Sequence, residues 1–431
     1  MNRFILPFIL WFYSFTTIAQ QKVPIKPRIL ISSDIGGTDP DDNQSFIHLF
    51  MYSELFNIEG LVSSPSFGDG NKEEILRMIS LYEKDLPKLK KHQKGLLSPD
   101  YLRSITKQGR HGAAPYIGYS TATDGSEWII KCAKKENKQP LWVLVWGGLE
   151  DVAQALHDAP EIQNKIRIIW IGGPNKKWSA NSYSYIVENF PNLWFIENNA
   201  SYYGFFSNND DPDSVKTTDY YDKYIAGAGH MGKDFKNYYD GNVKMGDTPT
   251  LLYMMDGNPN DPTRESWGGS FEKFSHSPRV VYNDITTVKD TVAYCTVTEF
   301  HLKGPITNIP NGTVCFWMET TLKGKVQKWP GFYMGNGEYA IKYVPKQAEL
   351  LNYKFTSDIP NFPVQEGKLV VENVWPDKKH TTDYKLGKNW YTDKSDPKLY
   401  DGKIQGGKTI LKWRNDILMD WAKRWKWLSE K

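Results

Sequence analysis

Arg28-Ile29-Leu30-Ile31-Ser32-Ser33-Asp34-Ile35-Gly36-Gly37-Thr38-Asp39-Pro40-Asp41-Asp42 is the stretch on which the reading turns. Arg28–Ser33 is a short, mostly apolar run, as a strand buried on both faces must be. It passes directly into a loop with four carboxylates in nine residues. Like charges repel, so such a cluster at the mouth of a buried sheet is costly unless a cation or protons neutralise it. An oxygen-rich cluster suits a hard cation such as Ca²⁺, which takes about six to eight oxygens. Gly36 and Gly37 permit tight backbone geometry, and Pro40 suits the turn before a helix. One Asp would be explained as a helix N-cap, but four exceed that need.

Outward from this stretch the chain alternates. Further strand candidates are Ile58–Ser63, Leu141–Trp146, Ile166–Ile171 and Leu193–Ile196. Helix candidates between them include Asp42–Leu55, Lys72–Tyr82, Ser126–Lys135 and Leu149–His157. This pattern predicts βαβ units and an α/β fold with a mostly parallel sheet flanked by helices. Ligands of such sheets collect beyond the carboxyl ends of the strands, so functional residues are expected just after each strand.

The character changes over about 283–390. Thr291–Phe300, Gly312–Thr321 and Lys368–Val374 are rich in β-branched and aromatic residues, with turn signals such as Pro310-Asn311-Gly312 between them. A β-rich second domain or insertion is expected there. Near the end, Ile410, Trp413, Ile417, Trp421, Trp425 and Leu428 recur at steps of three or four, the apolar stripe of an amphipathic helix. Lys412, Arg414, Lys423, Arg424 and Lys426 fall on its other face, which reads as solvated.

At 431 residues the chain has room for two or three domains. Apolar residues at 40% and charged residues at 24% exclude disorder as the main state. Lys+Arg 53 against Asp+Glu 50 leaves +3, no electrostatic footprint for nucleic acid. Aromatic residues reach 14%; such rings fill cores or make platforms for sugars. Met1-Asn2-Arg3, the apolar run Phe4–Ile18 and the small residues ending at Ala19 read as a secretory signal peptide over 1–19. The run falls short of the ~20 residues needed to span a bilayer, so no stable membrane anchor and a periplasmic or secreted location are expected. Cys295 and Cys315 can pair or remain thiols; Cys132 looks like a buried filler, and no Cys/His spacing suits zinc.

The Asp loop, with its Gly and paired Asp opening a helix, resembles the ribonucleoside hydrolases of the inosine–uridine type. Arg110–Gly118 resembles that family's His-Gly loop, Trp146–Ala153 its strand-ending turn, and Ile171-Gly172-Gly173-Pro174 its Met-Gly-Gly strand end. A secreted bacterial branch of the superfamily, sometimes labelled cellulose-binding, is similar at Asp124–Ile130, Gly246-Asp247-Thr248-Pro249, Ser266-Trp267-Gly268-Gly269 and Trp413–Arg424. The resemblance covers about 28–275 and 390–431. It implies a nucleoside-hydrolase-like α/β domain over 26–282, a β-rich domain or insertion over 283–390, and a segment 391–431 that packs back on the α/β part. The alternative is a β domain with its own terminal helix.

Carried over residue by residue, the resemblance implies a Ca²⁺ site of Asp34, Asp42, the carbonyl of Trp146 and Asp247. Asp41 would be the base that activates water. The loop is longer than the hydrolase pattern, which leaves Asp39 as an alternative ligand or base. Gly246 stands where those hydrolases have a His that serves the leaving base, and this argues against a purine nucleoside. His111 could donate to a leaving group. Asn181, Asn199, Glu265, Trp267 and Trp178 are candidate sugar contacts, the two Trp by stacking. The chemistry is hydrolysis of an N- or O-glycosidic bond through an oxocarbenium-like state, with general-base help worth about 10²–10⁴-fold. The expected ligand is a furanose-like sugar conjugate or oligosaccharide. A periplasmic nucleoside hydrolase and a non-catalytic carbohydrate-binding protein with a structural Ca²⁺ are the other readings, and a homo-oligomer is an open option.

Overall fold

The apolar runs pair into an eight-stranded sheet. The computed structural model describes residues 26–65, 68, 70–322 and 324–430, so the proposed signal peptide lies outside the described residues. No described helix is long and apolar enough to cross a membrane. The strands are β1 (Arg28–Ser33), β2 (Asn57–Ser63), β3 (Thr106–Gln108), β4 (Leu141–Val145), β5 (Ile166–Ile171), β6 (Trp194–Asn198) and β7 (Phe271–Lys273), with a late strand Trp390–Asp393. They lie in the order β3-β2-β1-β4-β5-β6, then Trp390–Asp393, then β7. All neighbours are parallel except β7, which is antiparallel at one edge.

Residues along β1 and β4 alternate between two separate cores. Leu30, Val143 and Val145 pack into one, Ile29, Ile31, Trp142 and Leu144 into the other. Burial on both faces is why these strands are apolar at nearly every position. The first core continues into the β-rich part; the second holds helix α1 (Asp41–Met51) and the terminal helix Arg414–Ser429. The chain runs from β1 outward to β2 and β3, then resumes on the other side with β4, β5 and β6. That reversal between β1 and β4 opens a crevice beyond their carboxyl ends.

The β-rich part is a second eight-stranded sheet, mostly antiparallel, running from Arg279–Tyr282 to Gln365–Glu372 in sequence. The run expected as one strand over 291–300 is split: Thr291–Ala293 and Val297–Lys303 flank a break at Cys295, whose φ is 62°. Cys132, Cys295 and Cys315 are all buried free thiols.

The terminal stripe is buried through Ile410, Ile417, Trp421, Trp425 and Leu428, with Trp413 half-buried. Its basic face divides. Lys412, Lys423 and Lys426 are exposed, but Arg414 and Arg424 are buried, contrary to the sequence expectation. Arg414 donates to the carbonyls of Ser207 and Asn208 and to Ser214 Oγ. Arg424 donates to the Met51 carbonyl and Glu54 and lies 3.6 Å over the Tyr52 ring. A planar guanidinium can be buried when fixed acceptors meet its donors, which a sequence pattern does not reveal.

Candidate active site and metal centre

At the end of β1, Ser33 Oγ accepts from the Ile35 amide at 3.1 Å and donates to Asp42 Oδ1 at 2.5 Å. This fixes Asp42 in the first turn of α1, beside Asp41. A third carboxylate arrives from far along the chain. Gln44 of α1 accepts from the amides of Lys244 and Met245 at 2.8 and 3.0 Å, and Thr248 Oγ1 donates to Ser45 Oγ at 3.0 Å. These bonds hold the turn before helix Thr248–Met255 against α1. The carboxylate they deliver is that of Asp247. It sits at the N-cap but makes no side-chain cap bond, and its Oδ2 is buried with no hydrogen-bond partner.

Asp41, Asp42 and Asp247 are all buried and can bring one oxygen each within 4.8 Å of one another. Burial raises all three carboxyls. Asp41 goes up to about 7, with Lys244 opposing and Asp39 and Asp34 adding to the rise. Asp42 and Asp247 lie well above the usual carboxylate range, each raised further by carboxylate neighbours. Three converging carboxylates with an unpartnered buried oxygen form a donor set that fits a hard cation.

They open into a cavity of about 340 Å³ that Asp34, Asp39, Trp146, Trp178, Tyr202 and Tyr203 also line. The Trp146 carbonyl accepts from Asn175 Nδ2 at 2.9 Å, which leaves its second lone pair. Lys244 reaches into the carboxylates: its Nζ bonds Asp39 and lies 3.3 Å from Asp41 Oδ2. Two glycines permit this crowding. A Cβ at Gly147 would stand 2.6 Å from the Asp34 Cβ, and one at Gly246 would stand 2.4 Å from Asp41 Oδ2. Position 246 therefore cannot carry a histidine unless Asp41 moves.

A family model described as "Cellulose-binding Sde182, nucleoside hydrolase-like domain" matches residues 28–271, more than half of the chain. The chain belongs to this family. A second model, a domain of unknown function (DUF5060), matches residues 292–358 in the β-rich part of this Sde182-type protein. One similar solved structure is a nucleoside hydrolase-related hypothetical protein from Saccharophagus degradans, described as associated with carbohydrate metabolism. It is 18% identical, covers 80% of this chain and 99% of its own, and has a TM-score of 0.49. An inosine–uridine preferring nucleoside hydrolase from Bacillus anthracis is 15% identical over 60% of this chain and 87% of its own, with a TM-score of 0.36. A purine-preferring ribonucleoside hydrolase from Gardnerella vaginalis is 12% identical over 58% and 84%, with a TM-score of 0.34. No curated protein matches the chain.

Within this Sde182-type domain, Asp34, Asp39, Asp41, Asp42, Trp146, Trp178 and Asp247 share the one cavity. The other sequence candidates do not line it. His111 is exposed. Asn181 donates to the Ala114 carbonyl at 3.0 Å and lines an adjoining cavity. Asn199 is buried, donates to Glu197 at 2.8 Å and lines another. Glu265 pairs with Lys412 at the surface, and Trp267 packs against the second core. Sequence reasoning missed Lys244, Asn175, Tyr202, Tyr203, Gln327 and Lys346, which all line the cavity. Tyr202 and Tyr203 follow the end of β6, so the rule that functional residues come after strands could have found them. Gln327 and Lys346 come from the β-rich part, and nothing in the sequence ties them to the site.

Proposed function

We propose that this protein hydrolyses a glycosidic bond in a furanose-like sugar conjugate or oligosaccharide, outside the cytoplasm, with Asp41 activating the water. The observation that carries this is the convergence of buried Asp41, Asp42 and Asp247 at the carboxyl ends of the sheet. Asp42 and Asp247 of that trio, with Asp34 and the Trp146 carbonyl of the same cavity, would hold Ca²⁺, Asp39 being a further candidate, and Asp41 is kept as the base. When bound, the cation supplies neutralisation of the carboxylates and a fixed point for sugar hydroxyls. Asp41 accepts the proton of the attacking water at a carboxylate oxygen. General-base help of this kind is worth about 10²–10⁴-fold. Water oxygen bonds to the anomeric carbon, and the leaving atom departs with its bonding pair. Trp178, which lines the cavity, is the candidate for a sugar contact.

A purine nucleoside suits the site poorly, because Gly246 brings no group to the leaving base and the Asp41 carboxylate fills the space beside it. One observation favours a second reading, a saccharide-binding protein that does not cleave: Lys244 sits on Asp41 and Asp39 and competes for the base. We also read 283–390 as an insertion, since the chain returns to the first sheet at Trp390–Asp393 and then to the terminal helix.

The test is a hydrolysis screen of glycans and nucleosides, with and without chelator, on wild type and Asp41→Asn. Asp41→Asn is expected to lose turnover while still binding Ca²⁺. Full hydrolysis by that variant would sink the assignment of the base. Saccharide affinity without released sugar in wild type would favour the second reading.

A further inference from the structure

Two lysines are buried among the described residues, Lys176 and Lys177. Lys176 is paired with Glu197 at 2.7 Å. Lys177 makes no hydrogen bond or ion pair among the described residues; its Nζ lies 4.2 Å over the Trp329 ring and 5.0 Å over Tyr343. Burial and neighbouring Lys346 push its ammonium down to about 7, with Glu349 acting the other way. An ammonium taken from water without a counter-ion is costly, and a bound anion would offset that cost.

Lys177 lines a cavity of about 240 Å³ with Trp178, Asn181, Lys328, Trp329 and Lys342. This cavity shares Gly68 and Trp178 with the carboxylate cavity, so the two adjoin. No carboxylate lines it among the described residues. Lys328 meets Glu319 at 3.0 Å and Lys342 donates to the Tyr116 carbonyl at 3.0 Å, so of the three Lys177 is the one without a hydrogen bond or ion pair among the described residues. Asn181 Oδ1 is buried with no partner, an acceptor for a hydroxyl. The Trp178 and Trp329 rings lie 4.4 Å apart at the wall. Carboxylates thus outnumber Lys244 and Lys346 in one cavity, and the charged residues described in its neighbour are all lysines, a division that orients a ligand with a neutral end and an anionic end.

The geometry points to an acidic saccharide as the ligand. The unit beside the carboxylate cavity carries a carboxylate or sulfate on Lys177 and gives a hydroxyl to Asn181 Oδ1. This inference rests on the saccharide reading above and names its substrate class.

The experiment is calorimetric titration of the full chain at one ionic strength with uronate-containing, sulfated and neutral oligosaccharides of equal length. Either acidic ligand is expected to bind about tenfold tighter than the neutral one, the scale of one charge-assisted hydrogen bond. The stronger of the two acidic arms identifies the anion. Lys177→Met should bring the acidic-to-neutral ratio close to one, and Lys177→Arg should keep it. Neutral saccharides bound as tightly as acidic ones overturn the inference and leave the proposed hydrolysis standing. A ratio unchanged in a folded Lys177→Met chain also overturns it. A chain that binds and cleaves no saccharide overturns both.

Discussion

The two ends of the same parallel strands make opposite uses of charge. At the amino ends, a cavity of about 480 Å³ is lined by Arg28, Lys135, Gln139 and Arg167. It is larger than the carboxylate cavity, yet two of its cations, Arg28 and Lys135, are matched by one carboxylate, while Arg167 is held by Asn260 and the Trp142 and Trp194 rings. Arg28 pairs with Glu59 at 2.6 Å and donates to the Cys132 and Gln139 carbonyls, and Lys135 meets Glu59 at 3.0 Å. At the carboxyl ends, buried carboxylates face one another and an Asp247 oxygen has no partner. Folding alone would not favour that arrangement, so buried, converging carboxylates single out the proposed site better than cavity size does.

The sharpest test of the contrast is pH, because the two ends titrate in opposite directions. Glu150, in the helix after β4, is raised by burial to about 8, with Asp151 adding and Ser179 and Arg110 opposing. A raised folded carboxyl favours folding below its unfolded value, and that contribution is lost as pH rises through about 8. Relative to Glu150→Gln, wild type should lose up to about 4–5 kcal/mol between pH 4.5 and 8, read from urea unfolding at each pH. A constant difference would break the comparison. Glu59 behaves oppositely: burial raises it, but the Arg28 and Lys135 hydrogen bonds outweigh burial and lower it. Its contribution is present above the ordinary glutamate value and lost as pH falls.

The next effect is at the amino end. Glu59→Gln leaves buried Arg28 without its carboxylate and should cost about 3 kcal/mol in the same unfolding measurement at neutral pH. A neutral outcome would show that Arg28 needs only its carbonyl partners. The smallest effect is at the carboxyl end. Ca²⁺ at about a hundredfold excess over its Kd should stabilise wild type by about 2.7 kcal/mol, seen as a higher melting temperature. Asp247→Asn should lose that shift, and an equal shift in the variant would remove Asp247 from the ligand set.

Much of the carboxyl end was legible because its residues are local. Asp34, Asp39, Asp41 and Asp42 occur within nine residues of sequence after an apolar run, and Trp146 ends another such run. Asp247 was found by resemblance, not by spacing, since about two hundred residues separate it from Asp41. Lys244 was missed because its meaning depends on Gln44, which holds its amide against α1. Arg414 and Arg424 were misplaced because their acceptors are backbone carbonyls and a carboxylate from other segments.

The sequence by itself determined the alternation of strands and helices and the acidic loop at the first strand's end. Periodicity and local charge are properties of neighbouring residues, and they survive being read in one dimension. Only the tertiary structure decided which charges are balanced. It placed Lys244 on Asp41, left the N-cap Asp247 without a side-chain capping bond, and set Gln327 and Lys346 of the β-rich part beside the carboxylates of the first sheet. Pairing and burial depend on segments distant in the chain, and they determine what each charge costs.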